Sequence, residues 1–143
     1  MTVLAKYEKF SALDPFFNIC QQGLDGLVDG VHYFDTIAEN AVFEFRYIFP
    51  GWPSEVVGRE ALMALYAGYG NNIMLHHADA LVVHKSQDSR VVIIEYDVHG
   101  KVVASGKNYD NRFISVVTID NRKIIHWRDY MDSLAAMTAI SQP

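Results

Sequence analysis

The sequence has few of the features that mark specialised classes of protein. It contains one cysteine, Cys20, so no disulfide can form within the chain. No apolar run approaches the roughly 18 residues that a membrane-spanning helix needs. There is no repeat, low-complexity tract or linker, while half of the 143 residues are apolar and 13% are aromatic. These features exclude disordered, fibrous and disulfide-scaffold proteins and predict one domain over residues 1–143.

Runs of one charge are also missing. The formal net charge is −5 with no basic stretch, which argues against nucleic acid or anionic membranes as partners. The first ten residues, MTVLAKYEKF, carry three charges and no apolar core, so we expect no signal peptide and a soluble, cytoplasmic protein. No Cys, His and Asp spacing suits a metal, and no glycine-rich phosphate loop is present. We therefore expect neither a metal nor a cofactor.

Helical patterns dominate the first half of the chain. Residues 14–29 have the apolar spacing of an amphipathic helix, with Asp14 as N-cap and Pro15 at its first position. A short helix over 31–39, an aromatic strand over 42–49 and a helix over 58–69 are predicted next.

The second half is rich in strands. After Asn72, β-type runs occupy 73–84, 90–99, 101–119 and 122–131, separated by turn-like segments and followed by a short C-terminal helix. This order predicts an α+β fold in which helices pack on the concave face of a curved, mixed or antiparallel sheet. The resulting cone has a mouth that would form a small-molecule pocket.

Three motifs carry a resemblance to a known family: IAENAVFEF (37–45), VVGREALMALY (56–66) and KIIHWRDYMD (123–132). With this element order they resemble the SnoaL-like branch of the NTF2-like superfamily. The resemblance implies a cone-shaped domain related to ketosteroid isomerases, polyketide cyclases and limonene epoxide hydrolases. Since that fold carries many reactions, the reaction must be read from the site.

The resemblance to the epoxide hydrolases is closest near the C-terminus. Their catalytic aspartates correspond to Asp129 and Asp97, but their arginine corresponds to Glu95. Their water-holding Tyr and Asn correspond to Phe43 and Phe45, and the general-base position of the isomerases also falls on Phe45. The resemblance thus implies a pocket that keeps the acidic groups, while the residues around them differ from those of the epoxide hydrolases and isomerases.

The alternation of side chains along a strand assigns the acidic candidates to one or the other face of the sheet. Trp127, Asp129 and Met131 share one face of a strand, and the resemblance places that face inside the cone. If the face carrying Glu95 and Asp97 also looks inward, three carboxylates crowd one pocket, and burial and repulsion would raise the pKa of at least one. Asp129 would then be the general base or water activator, and Asp97, with a protonated Glu95, the acid.

Other residues are candidates for the pocket wall. One of the neighbouring histidines 76 and 77 could face the pocket, and Trp52 could be a lid or a dimer contact. The full set of expected pocket residues is Phe43, Phe45, Trp52, His77, Tyr109, Arg112 and Trp127. Arg112 has a second interpretation, in which it neutralises Asp129 or Glu95. Asp132 directly precedes SLAAMTAI and is predicted to be a helix N-cap.

These observations lead to a functional hypothesis with alternatives. We expect a cofactor-free acid–base enzyme acting on a small, largely apolar molecule by isomerisation, cyclisation, dehydration or water addition. A non-catalytic binding protein, with Arg112 pairing the carboxylates, is the alternative, and a partner-docking protein with a filled cone is another. Apolar residues on both faces of 90–98 and 112–119 predict a homodimer through the outer sheet face.

Overall fold

The computed structural model describes residues 5–141; residues 1–4, which begin the segment judged not to be a signal peptide, and 142–143 lie outside that range. Within it are three α-helices, α1 (Asp14–Gly23), α2 (Arg59–Tyr66) and α3 (Ser133–Ser141), and short 3₁₀ segments at Ala5–Leu13, Tyr33–Thr36 and Tyr69–Asn71. The strands are β1 (Ile37–Phe45), β2 (Glu55–Val57), β3 (Ile73–Lys85), β4 (Val91–Val102), β5 (Asn108–Asp120) and β6 (Lys123–Met131). No helix in this part of the chain has the length and apolar character to cross a bilayer.

The six strands form one mixed sheet in the order β2-β1-β6-β5-β4-β3. β1 runs parallel to β6, whereas all other neighbours are antiparallel. The sheet bends because β3 carries irregularities between Leu75 and His77 and between Asp79 and Val82, and Ala80 has a positive φ of 59°. The α+β cone predicted from the sequence is confirmed.

The concave face of the sheet holds the core. Along β4 the even-numbered residues are buried and the odd-numbered ones are more exposed, so Ile94, Tyr96 and Val98 point inward. Helix α1 packs against β3 and β4 with Phe16, Phe17, Ile19 and Cys20 buried. Cys20 is completely buried as a small apolar side chain, as its place in a helical stripe predicts.

Several element boundaries differ from the predictions. Leu13, not Asp14, occupies the N-cap of α1, and no side chain caps that helix. The segment predicted as a helix over 31–39 is one 3₁₀ turn, capped at its start by the His32 and Asp35 side chains, followed by β1, which begins at Ile37. The HGK turn at 99–101 is absent, and β4 runs straight through it.

The C-terminal helix begins as predicted. The Oδ1 atom of Asp132 accepts a hydrogen bond from the backbone N–H of Ala135 at 3.1 Å, so this carboxylate satisfies a free donor of α3. Its role as N-cap is confirmed. The cap directs α3 back over the open end of the cone, where Ala136 and Ile140 face the cavity described next.

Candidate functional site

A cavity of about 390 Å³ opens at the wide end of the cone. Its wall combines the inward faces of β3 to β6, the end of α2, helix α3 and the loop between β1 and β2. The lining residues are Leu13, Phe16, Tyr47, Phe49, Pro50, Gly51, Trp52, Leu65, Tyr66, Gly68, Tyr69, Asn72, Ile73, Leu75, Val98, Tyr109, Phe113, Asp129, Met131, Ala136 and Ile140. The volume lies near the lower end of the range for small-molecule sites, so the cavity suits a small ligand.

Asp129 is the charged group of this cavity. It is the only Asp, Glu, Lys, Arg or His among the lining residues from the described chain, and only 3% of its surface is exposed. β6 positions it, and its backbone oxygen accepts a hydrogen bond from Arg46 N–H at 2.7 Å, which fixes the strand there. The structure therefore places Asp129 inside the cone, as strand parity and the resemblance predicted.

The two carboxylate oxygens of Asp129 have different environments. Oδ1 accepts hydrogen bonds from Ser115 Oγ at 2.7 Å and from Trp127 Nε1 at 3.0 Å. Ser115 can reach it because these two residues are cross-strand partners on β5 and β6. Oδ2 accepts no hydrogen bond from residues 5–141 and is not sealed from the cavity. Oδ2 is therefore the atom that can take a proton from a ligand.

Burial raises the pKa of Asp129 to about 6, although the hydrogen bonds from Ser115 and Trp127 lower it in part. No Lys or Arg from the described residues forms an ion pair with Asp129. A carboxyl with a pKa near the working pH can both accept and return a proton, which is the requirement for general acid–base catalysis.

A buried polar chain supports the carboxylate from behind. The Tyr96 hydroxyl lies 2.9 Å from Ser115 Oγ, which in turn donates to Asp129. The Cys20 thiol contacts the Tyr96 hydroxyl, and burial raises the pKa of this thiol well above its usual value. These three side chains remain neutral. Their hydrogen bonds therefore fix the orientation of Asp129 without neutralising its charge.

Four tyrosines contribute to the wall of the cavity. Tyr47, Tyr66, Tyr69 and Tyr109 all line it, and burial raises the pKa of each. Tyr109, which was expected in the pocket, is among these lining residues, and its hydroxyl accepts a hydrogen bond from Asn111 Nδ2 at 2.8 Å. These phenols therefore stay protonated near neutral pH and can act as hydrogen-bond donors.

Other expected pocket residues lie at or behind the wall. Trp52 lines the cavity and stacks near Tyr66. Trp127 is fully buried beneath Asp129, and Phe43 stacks on it with ring centroids 5.8 Å apart. Phe45 packs against Tyr47 and Trp52. The prediction that Phe43, Phe45 and Trp127 line the pocket is therefore wrong: they form the layer of core behind the lining residues.

The expected cluster of three carboxylates is not formed. Glu95 and Asp97 lie on the outer face of β4, where Glu95 pairs with His84 across the β3–β4 ladder. Ile94, Tyr96 and Val98 take the inner face because α1 covers it with apolar side chains. The acid roles that were expected for Asp97 and Glu95 next to Asp129 are excluded by this placement.

Two further expectations were wrong in the same way. His77 is exposed on the outer face and stacks on His99 with centroids 5.8 Å apart. The Arg112 side chain is 79% exposed, and its ion pair at 3.7 Å is with Asp132 rather than with Asp129 or Glu95. The irregularity after Leu75 changes the parity of β3, and β5 places odd-numbered Tyr109, Asn111 and Ser115 inside.

The sequence gives only weak signals for the residues that were missed. Ser115 lies in the run FISVVT, where one small polar residue does not stand out. Tyr66 and Tyr69 follow a helical stripe and are typical core aromatics. Only the folded chain brings them to the same cavity as Asp129.

Comparisons with known proteins fit this architecture. A model of the SnoaL-like domain matches residues 21–127. Protein YesE of Bacillus subtilis strain 168 is 36% identical over 101 residues, which are 71% of this chain and 69% of that protein. The matched family range ends before Asp129, so geometry carries the assignment of that residue to the site.

Solved structures show the same fold. A Bacillus subtilis structure provisionally assigned as an isomerase is 29% identical, with a TM-score of 0.72 and coverage of 94% of each chain. A Xanthomonas campestris structure provisionally assigned as a polyketide cyclase is 15% identical, with a TM-score of 0.66 and coverage of 93% of this chain and 96% of that one. At that identity the second likeness concerns the fold alone.

Proposed function

Because the chain belongs to the SnoaL-like family, we propose that it is a cofactor-free acid–base enzyme that converts a small, largely apolar molecule, with Asp129 as its general base. The observation that carries the proposal is a single buried carboxylate, with a pKa of about 6, that presents Oδ2 to an otherwise uncharged cavity. A base of this kind can act on a bound ligand near neutral pH.

The single carboxylate favours some reactions over others. One base can remove a proton from a substrate and return it elsewhere on the same molecule, as an isomerisation or an intramolecular cyclisation requires. Epoxide hydrolysis of the type suggested by the resemblance uses two carboxylates and an arginine, and here Asp97, Glu95 and Arg112 lie on the outer face. Isomerase or cyclase chemistry is therefore favoured over hydrolysis.

The alternatives have less support. A binding protein was expected to pair the pocket carboxylate with Arg112, but Arg112 pairs with Asp132. A partner-docking protein was expected to have a filled cone, whereas a cavity of about 390 Å³ is present. An unpaired carboxylate in an open cavity is better explained by proton transfer.

Carbon-bound hydrogen exchange tests the proposal without a known substrate. A panel of small neutral ketones and enones is incubated with the protein in D₂O, and NMR follows deuterium incorporation next to the carbonyl. We expect accelerated exchange for at least one compound, and a loss of about 10²- to 10⁴-fold in Asp129→Asn, the usual contribution of a positioned base.

Asp97→Asn is the matched control because it removes a carboxylate from the opposite face of the same sheet. It should exchange at the wild-type rate. Equal exchange by wild type and Asp129→Asn, across the whole panel, would refute Asp129 as the base.

A further inference from the structure

His32 lies apart from the cavity, where the N-terminal segment (Ala5–Leu13) packs against the rest of the chain. This histidine is only 8% exposed. Its ring stacks on Tyr7 of the N-terminal segment with centroids 4.2 Å apart, and it meets Phe17 of α1 edge-on at 4.8 Å. Aromatic rings from two elements therefore hold the imidazole in one orientation.

One ring nitrogen of His32 is committed as a hydrogen-bond acceptor. Nδ1 accepts the backbone N–H of Phe34 at 3.1 Å, while Asp35 Oδ2 accepts the backbone N–H of His32 at 3.1 Å. These two bonds cap the turn Tyr33–Thr36. Because a backbone N–H can only donate, Nδ1 must keep its lone pair, and the proton of the neutral ring lies on Nε2.

The capped turn also anchors the N-terminal segment. The Tyr7 hydroxyl donates to Asp35 Oδ1 at 2.5 Å. The ring of Phe34 contacts those of Tyr7 and Phe10, with centroids 5.6 and 4.8 Å apart. Leu13, the last residue of the N-terminal segment, lines the cavity. Loss of the cap would therefore loosen a segment that reaches the cavity wall.

Charged and titratable groups from several elements face His32 or its capping partner. They are Lys6 and Tyr7 on the N-terminal segment, Asp14 on α1, Asp35 in the turn and Lys123 on β6. Burial lowers the pKa of His32 below its ordinary 6.5, against the attraction of the Asp35 and Asp14 charges for a proton. Burial alone would raise the pKa of Asp35, but hydrogen bonds from Tyr7 and the His32 N–H lower it overall. His32 is thus neutral at neutral pH and takes up a proton on acidification, while Asp35 stays ionised.

We propose that uptake of a proton at His32 Nδ1 releases the N-terminal segment from the core, which makes His32 a pH-sensitive switch next to the cavity wall. A proton on Nδ1 would point at the Phe34 N–H, donor against donor, and the packed ring has no room to turn away. The ring must leave the turn, and Tyr7, which is stacked on it, loses its place. The switch does not depend on Asp129 acting as a base.

Hydrogen exchange of the amides in residues 5–13, followed by mass spectrometry, tests the switch. His32→Asn is the matched variant, because Asn is a good cap residue that takes up no proton. The ratio of the wild-type rate to the variant rate removes the intrinsic effect of pH on exchange. We expect this ratio to rise about 3- to 10-fold from pH 7.5 to pH 4.5, as the loss of one cap allows.

NMR of the His32 ring in the wild-type protein gives a second readout that needs no variant. The ring should carry its proton on Nε2 at pH 7.5. It should titrate with a midpoint below 6.5, and that midpoint should coincide with the change in exchange of residues 5–13.

Two control variants make the result specific. Asp129 also titrates, with a pKa of about 6, so the pH response of residues 5–13 should persist in Asp129→Asn. It should persist as well in His126→Asn, which removes a half-exposed histidine that contacts Glu44 on the outer face. A constant ratio of wild type to His32→Asn, a ring proton on Nδ1 at pH 7.5, or loss of the response in either control would overturn the proposal.

Discussion

The two faces of the sheet place the same kinds of residue under opposite conditions. On the inner face, Asp129 is buried with neutral donors and no ion-pair partner from the described chain. On the outer face, carboxylates lie beside cations or histidines: Glu95 with His84, and Asp79 and Asp110 on either side of His99. Ionisation is costly inside and favoured outside.

The pKa directions follow the same division. Burial raises the pKa of Asp129 to about 6, whereas the hydrogen bond from His99 lowers the pKa of Asp79. A neighbouring cation stabilises the ionised form of a carboxylate and makes it a poor base. One held by neutral donors in an apolar cavity keeps the reactivity that acid–base chemistry needs. The difference between the faces is therefore a difference in burial and in hydrogen-bond partners, not in residue type.

The largest expected effect is on the pH dependence of exchange. If Asp129 must be ionised to act as a base, the exchange rate should rise about 100-fold from pH 4 to pH 8, since a group of pKa about 6 is about 1% ionised at pH 4. The measurement is the deuterium-exchange rate across that range. Glu95→Gln, on the outer face, should leave the midpoint unchanged. A midpoint near 4 in the wild-type protein would contradict the buried-base interpretation.

The second effect is on stability. The folded pKa of Asp129, about 6, lies above the unfolded value of about 3.9, so the native state keeps a proton that the unfolded chain loses between these pH values. Stability therefore falls as pH rises through this window. Asn cannot ionise, so Asp129→Asn should be about 3 kcal/mol more stable than wild type at pH 8, with most of this advantage lost at pH 4.

Urea unfolding of both proteins at pH 4 and pH 8 measures this difference. Asp97→Asn supplies the outer-face comparison, and its effect should stay within about 0.5 kcal/mol at either pH, as for most surface changes. A stability difference between wild type and Asp129→Asn that is the same at both pH values would show that Asp129 does not carry the penalty.

The inner face of a strand could be predicted from the sequence only where apolar and polar residues alternate clearly along it. On β6, Trp127 and Asp129 alternate with the polar His126 and Arg128, and the structure places them inside. Near the beginning of β4, Ile93 and Ile94 point to opposite faces and are both apolar. The pattern therefore does not specify which face of β4 is buried. The assignment of Glu95 and Asp97 to the pocket was wrong for this reason.

Local chemistry was predicted better than long-range assembly. The capping role of Asp132 depends on its immediate neighbours, and it was correct. The contact of Ser115 with Asp129 depends on the register of β5 against β6, and the place of Tyr66 depends on how α2 meets the cavity. No short-range pattern encodes either of these, because both arise from packing between distant segments.

A smaller effect is expected from the donor behind Asp129. Ser115→Ala removes one of the two hydrogen bonds to Oδ1, which lower the pKa of this carboxyl, so the pKa should rise further, by about one unit. Carbon-13 NMR titration of the Asp129 carboxyl measures the change. Tyr96→Phe should produce a smaller rise because Tyr96 acts through Ser115. Thr118→Val, on the outer face of β5, should produce none.

The smallest effect is expected on the outer face, at His99. Hydrogen bonds from its ring to Asp110 and Asp79 raise its pKa above the usual 6.5. The stability that this gives is fully present below pH 6.5 and is lost as pH rises through the folded pKa, the reverse of the change expected from burial of a neutral histidine. Since the cluster is largely exposed, solvent screening limits the contribution to about 0.5 kcal/mol.

Urea unfolding of wild type and His99→Asn at pH 5.5 and pH 9 should show the variant less stable by that amount only at the lower pH. A loss above about 2 kcal/mol at pH 5.5 would mean that the outer cluster is desolvated like the inner site, and the contrast between the two faces would not hold.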